Sequence, residues 1–178
     1  MTDTRSPVIG IDASRAFGDR QTGTERYARR IIEAMLDAGP DARFRLYLNA
    51  NVPADLPVRA GTRQRLIPFP RLWTHARLSA ELRLHPPDAL FVPAHVVPLY
   101  HPAATVVTVH DLGYRYEPET HTPAQRLYLE ISTRWSARQA RRVIAVSAAT
   151  RDDDPPELLG RAQARLDLHH LLAVAHRE

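Results

Sequence analysis

The chain has 178 residues, with 15 Pro, 7 Gly and no Cys, and its 24 basic side chains, all of them Arg, outnumber 20 acidic ones. No cysteine means no disulfide scaffold, no Cys-ligated metal and no thiol nucleophile, and no lysine means no Schiff base and no P-loop lysine. A hydrophobic content of 44% suits one soluble domain with a buried core, and no apolar run approaches the ~18 residues of a membrane span.

Short β-branched runs alternate with longer stretches of helical period. Pro7-Val8-Ile9-Gly10-Ile11-Asp12 reads as a buried first strand ending on a carboxylate. A polar loop containing Gly18 and Gly23 leads to a helix over 24–38, opened by the capping-box pattern Thr22-Gly23-Thr24-Glu25 and stopped by Gly39-Pro40. Its apolar stripe is Tyr27, Ile31 and Met35, with Ala28, Ile32 and Leu36 beside it. Glu25 and Glu33 lie on the same helix and read as part of a solvated face.

Phe44-Arg45-Leu46-Tyr47-Leu48 is the second predicted strand, and Arg65-Leu66-Ile67 a short third. Residues 72–84 read as one helix. Its mixture of Trp73 and leucines with Arg71, Arg77 and Arg83 fits either a helix lying on anionic lipid or an amphipathic helix with the Trp in the core. Ala89-Leu90-Phe91-Val92 and residues 104–109 are strands apolar on both faces, as a parallel sheet covered on each side requires. Thr122-Pro123-Ala124-Gln125 supplies an N-cap, a proline at the first helical position and a capping-box glutamine. In the helix that follows, Leu127, Tyr128, Ile131 and Trp135 share one face. Arg134, Arg138, Arg141 and Arg142 form a basic patch near its end. Val143-Ile144-Ala145-Val146 is the last strand.

This rhythm predicts an α/β, Rossmann-like, doubly wound and mostly parallel sheet. Ligands bind such sheets beyond the carboxyl ends of the strands. The candidates are therefore Asp12, the loop to Gly23 and Thr24, Pro93 to His95, His110 with Asp111, and Ser147 to Thr150. Gly23 and the helix start fit a phosphate site, and equally an ordinary capped helix. His110 and Asp111 end a buried strand, where polar groups are costly unless used or paired. The imidazole can donate to a ligand hydroxyl, or be tied to a backbone carbonyl. No H-x-x-x-H spacing supports a metal, no G-x-S-x-G elbow supports a hydrolase, and no G-x-G-x-x-G supports a dinucleotide oxidoreductase.

The net charge of +4 permits nucleotide phosphates or anionic lipid as partners, but the arginines are scattered, which argues against nucleic acid. The start, Met1-Thr2-Asp3-Thr4-Arg5, lacks a signal peptide's apolar stretch. A cytoplasmic location, with contact at the inner membrane face, is the expectation.

Four segments recur in an order that resembles the N-terminal half of GT-B glycosyltransferases of family 4, the mannosyl- and related hexosyltransferases. They are Ile9-Gly10-Ile11-Asp12-Ala13, Thr22-Gly23-Thr24-Glu25-Arg26-Tyr27, residues 105–112 ending in Val109-His110-Asp111-Leu112, and residues 142–150 containing Val146-Ser147-Ala148-Ala149-Thr150. The resemblance implies retaining transfer of a hexose from a nucleotide-diphosphate sugar to a glycan or lipid-linked acceptor hydroxyl, without metal or other cofactor. It puts Gly23 and Thr24 at the donor phosphates and His110, supported by Asp111, at the transferring sugar. Asp12, Tyr27, His95, Ser147 and Thr150 would line the cleft on the acceptor side. Residues 1–153 follow the pattern as one domain. Residues 154–178 depart from it and read as an atypical helical or disordered tail, so the implied chain is a truncated member lacking its donor domain. The alternative is a non-catalytic, single-domain module that binds carbohydrate or a partner.

Overall fold

A computed structural model describes residues 6–17, 22–39, 42–49, 56, 59–94, 96–110, 119, 121–146 and 162–163. Among the described residues seven parallel strands form one sheet: β1 (Val8–Asp12), β2 (Arg43–Leu48), β3 (Thr62–Leu66), β4 (Ala89–Val92), β5 (Thr105–Val109), β6 (Arg142–Ala145) and a two-residue β7 (Ala162–Gln163). Their spatial order is β3-β2-β1-β4-β5-β6-β7. The expected Rossmann-like α/β fold is present, and every described strand pair is parallel. The chain winds outward from β1 in one direction through β2 and β3, then returns to β4 and winds the other way. The switch point lies between β1 and β4, where such sheets open a crevice.

Two hydrophobic layers sandwich the sheet. On one face α1 (Gly23–Ala38) buries Ala28, Ile32, Met35 and Leu36 against Ile9, Ile11, Phe44, Leu46, Phe91 and Val106. On the other, Trp73, Leu78 and Leu82 pack with Leu90, Val92, Val107, Val109 and Val143. Alternate residues of β4 point to opposite layers, which is why this run is apolar throughout.

Three elements differ from their expected form. The third strand begins at Thr62, not Arg65, and is exposed along most of its length. It is an edge strand whose polar residues give no apolar alternation to read. The helix expected over 72–84 is a π-helical segment (Trp73–Leu78) running into α2 (Ser79–Leu84), with Leu72 outside it in a left-handed conformation (φ 55°). Trp73 is buried and its indole donates to Ile67 O at 2.8 Å, so of the two readings of this segment the Trp takes the core one. The third difference concerns α3 (Pro123–Gln139), which meets the sheet through Ser132, Thr133, Ser136 and Ala137 while Leu127, Tyr128 and Ile131 are exposed. Its Thr122 cap is as predicted: Thr122 N–H donates to Gln125 Oε1 at 2.9 Å and Gln125 N–H to Thr122 Oγ1 at 3.3 Å.

Candidate functional site

Because the strands are parallel, the ends of β1, β4 and β5 fall on one edge. Asp12, Pro93 and His110 follow one another across it, and α1 starts from the same edge.

Asp12 is the last residue of β1 and only 8% exposed. Ser14 donates to its Oδ1 twice, from the backbone N–H at 3.0 Å and from the hydroxyl at 2.6 Å. This Asx-type turn bends the chain away from the sheet, and the Asp-x-Ser pattern was its signal in the sequence. Oδ2 takes no hydrogen bond among the described residues. Burial pushes the carboxyl pKa above its ordinary value, against the opposing pull of the Ser14 bonds and Arg15.

Helix α1 starts at Gly23, one residue earlier than the pattern suggested. Glu25 reaches back to accept from Thr22 N–H at 2.7 Å, and Arg26 N–H bonds Thr22 O at 3.0 Å. The N–H groups of the first turn have no acceptor within their own helix and carry the positive end of its dipole. Gly23 is exposed, and a Cβ built on it would meet nothing within 4 Å. The protein's own packing leaves that space open beside the helix start.

His110 is 8% exposed. Its Nε2 donates to Pro93 O at 2.7 Å, which joins the end of β5 to the end of β4. Donation from Nε2 puts the lone pair of the neutral ring on Nδ1. The carbonyl-tied reading of this histidine is therefore realised at one ring nitrogen. Tyr27, one turn into α1, stands edge-on to the imidazole with centroids 4.8 Å apart and planes at 90°. The Tyr27 hydroxyl lies 3.4 Å from Thr108 Oγ1, and burial raises its pKa, so it is neutral at physiological pH.

The geometry thus brings Tyr27 and His110 into contact and places Asp12, Gly23 and Thr24 around the same strand edge. Asp111, His95, Ser147 and Thr150 lie outside the described residues. Thr108 was hidden in the sequence as a buried strand residue; Pro93 lies in the strand-end stretch the sequence points to, but its part, a backbone carbonyl accepting from His110, has no side-chain signal. Among the described residues no three His, Asp or Glu side chains converge as metal donors. No helix among them is long and apolar enough to cross a membrane.

The family model of Glycosyltransferase Family 4 matches residues 21–153, a span that contains α1, His110 and β2 to β6. The match covers most of the chain, and the chain belongs to that family. No curated protein is a significant match. Among solved structures, the oxidoreductase ylbE from Lactococcus lactis is similar at 12% identity and a TM-score of 0.38, over 78% of this chain and 68% of that one. A likeness of that size passes no function to this chain.

Proposed function

We propose that this family 4 chain forms the acceptor-side half of a hexosyltransferase, moving a hexose from a nucleotide-diphosphate sugar to an acceptor hydroxyl with retention of configuration. The observation that supports it most is where the family match falls. It spans the helix start at Gly23 and Thr24 and the buried His110, which lie at one edge of the sheet beside its switch point. Leaving-group stabilisation is the main electrostatic demand of such a transfer. Amides and a helix dipole aimed at a diphosphate meet part of it without metal or cofactor.

In this reading Gly23 and Thr24 contact the diphosphate, and the bare Cα of Gly23 admits it closely. His110 contacts the transferring sugar, its ring held in orientation by Pro93 O and the Tyr27 ring. Asp111 supports it. Asp12 receives an acceptor hydroxyl at Oδ2, while His95, Ser147 and Thr150 border the cleft. The acceptor is a glycan or a lipid-linked sugar. The other half of the diphosphate's surroundings comes from a nucleotide-binding donor domain, as in the GT-B pattern.

A transfer assay tests this. With labelled nucleotide-diphosphate hexoses and a panel of such acceptors, the chain by itself is expected to transfer no sugar above a His110→Ala control. Transfer above that control would overturn the two-half reading. With a donor half joined to it, transfer with retained anomeric configuration is expected, and an inverted product would overturn the mechanism.

A further inference from the structure

Helix α3 is turned the wrong way round for a helix facing water. The side that meets the sheet is mostly small and hydroxylic (Ser132, Thr133, Ser136 and Ala137), with Leu129 and Trp135 partly buried at its flanks, whereas Leu127 is 61%, Tyr128 53% and Ile131 59% exposed. A solvated surface helix puts its apolar stripe inward. The inversion has a local cause. Short side chains let α3 close on β5, and Ser136 Oγ accepts from Val97 N–H at 2.9 Å while the Trp135 indole donates to Val97 O at 3.3 Å. The loop after β4 is thereby pinned beside α3, and its Leu99, 61% exposed, joins the helix's apolar side chains.

Together they frame a groove of about 330 Å³ lined by His75, Leu99, Tyr128, Ile131, Ser132 and Trp135. Burial lowers the pKa of His75, so the groove carries no charge at neutral pH. Further along α3, Arg134 and Arg138 follow Leu127 and Ile131 at helical spacing, on the outward side. The one carboxylate of this helix, Glu130, is bonded to Arg134 at 2.6 Å. The face therefore offers exposed apolar side chains, a tyrosine with both an apolar body and a polar tip, and an excess of cations.

We propose that this outward face of α3, with Leu99, docks on anionic lipid membrane. The combination matches a lipid surface term by term: leucine and isoleucine enter the acyl boundary, Tyr128 sits at the headgroup level, and the arginines meet lipid phosphates. A second copy of the chain is the weaker occupant. It would bring the same cations against this face, on a molecule already carrying +4. The proposal places the contact on α3 and the loop after β4, because Trp73 of the preceding helical segment is committed to the core. It does not depend on the chain's being a transferase.

Vesicle co-sedimentation of the whole chain decides it. The chain is expected to pellet with phosphatidylcholine vesicles that contain phosphatidylglycerol, and to remain largely in solution with phosphatidylcholine alone. Leu127→Ser with Ile131→Ser changes only exposed positions, so the fold should hold, as circular dichroism would show. Partitioning should fall by about tenfold or more, in line with the apolar area withdrawn from lipid. Arg134→Gln with Arg138→Gln should weaken binding to the anionic vesicles, as should added salt. Failure of the unaltered chain to pellet would overturn the proposal, as would equal pelleting of the apolar variant. Light scattering that shows a dimer dispersed by Ile131→Glu would also overturn it, assigning the face to a second copy.

Discussion

Two glycines carry opposite constraints. A Cβ on Gly10, in the middle of β1, would lie 2.9 Å from both Pro87 Cγ and Tyr47 Cε2. Gly10→Ala should therefore lower stability by about 1–3 kcal/mol, the usual penalty of overpacking, read as a reduced urea midpoint at unchanged slope. Gly23 meets nothing, and alanine is the better helix former, so Gly23→Ala should leave the midpoint unchanged or slightly raised. If the diphosphate approaches there, the same substitution weakens nucleotide-sugar binding. A large loss of stability would show that the glycine serves the fold alone. Asp12 adds a pH test. Its raised pKa means that the folded state holds the proton more tightly than the unfolded chain, so ionised Asp12 costs stability at neutral pH. Stability is regained as the pH falls through the raised value. Asp12→Asn, whose amide oxygen still accepts from Ser14, should melt higher than the parent at pH 7, and the gap should close on acidification. A gap that widens in acid would contradict this account.

At the scale of elements, strands apolar on both faces were legible, because burial between two layers leaves a continuous hydrophobic run. β4 has the bounds its sequence suggested, and β1, β5 and β6 lie within a residue or so. β3 was half-hidden: an exposed edge strand of sequence TRQRL has no apolar pattern to betray it. Periodicity also finds a helix without saying which face is buried. In α3 Leu127, Tyr128 and Ile131 lie outward although they share the apolar stripe with Trp135, since close docking on the sheet selects Ser132, Ser136 and Ala137 at the centre of the contact and leaves Leu129 and Trp135 at its flanks. The turn into Trp73–Leu78 was equally unreadable, being fixed by a tertiary bond from the Trp73 indole to Ile67 O. Trp73→Phe keeps most of the ring's burial but strands that carbonyl, and should cost roughly 1–3 kcal/mol by thermal unfolding. Glu81 ties the same region together. It is 2% exposed and contacts Arg65 at 2.8 Å, His85 at 3.2 Å and Arg77 at 3.6 Å. Burial alone would raise its pKa, but the Arg65 hydrogen bond and the neighbouring cations prevail and hold it below the ordinary value. A carboxyl held low stabilises the fold above its unfolded pKa and loses that contribution as the pH falls through the folded one. Glu81→Gln should thus be destabilising at pH 7, by roughly 1 kcal/mol because the arginines remain in contact with water, and nearly neutral in strong acid. An equal loss at both pH values would show that the charge is not what matters.

For the molecule as a whole, the winding of the sheet determines where chemistry can happen. Reversal between β1 and β4 opens the strand edge at one place, and α1, Pro93 and His110 all reach it. That edge was visible in the sequence as strands ending in Asp12 and His110. The bonds that hold His110 were not, because they join residues distant in sequence: Pro93 lies 17 positions away, and Tyr27 belongs to another element. The proposed function requires this edge to receive a nucleotide-diphosphate sugar through the start of α1. The most direct measurement is a nuclear magnetic resonance titration of the isotope-labelled chain with nucleotide-diphosphate hexoses at millimolar concentration. Saturable shifts are expected at the Gly23 and Thr24 amides and at the His110 ring, with the Gly23 and Thr24 shifts reproduced by the nucleoside diphosphate alone. Saturation accompanied by shifts elsewhere, with these three residues unmoved, would contradict it, as would a spectrum unchanged throughout the titration.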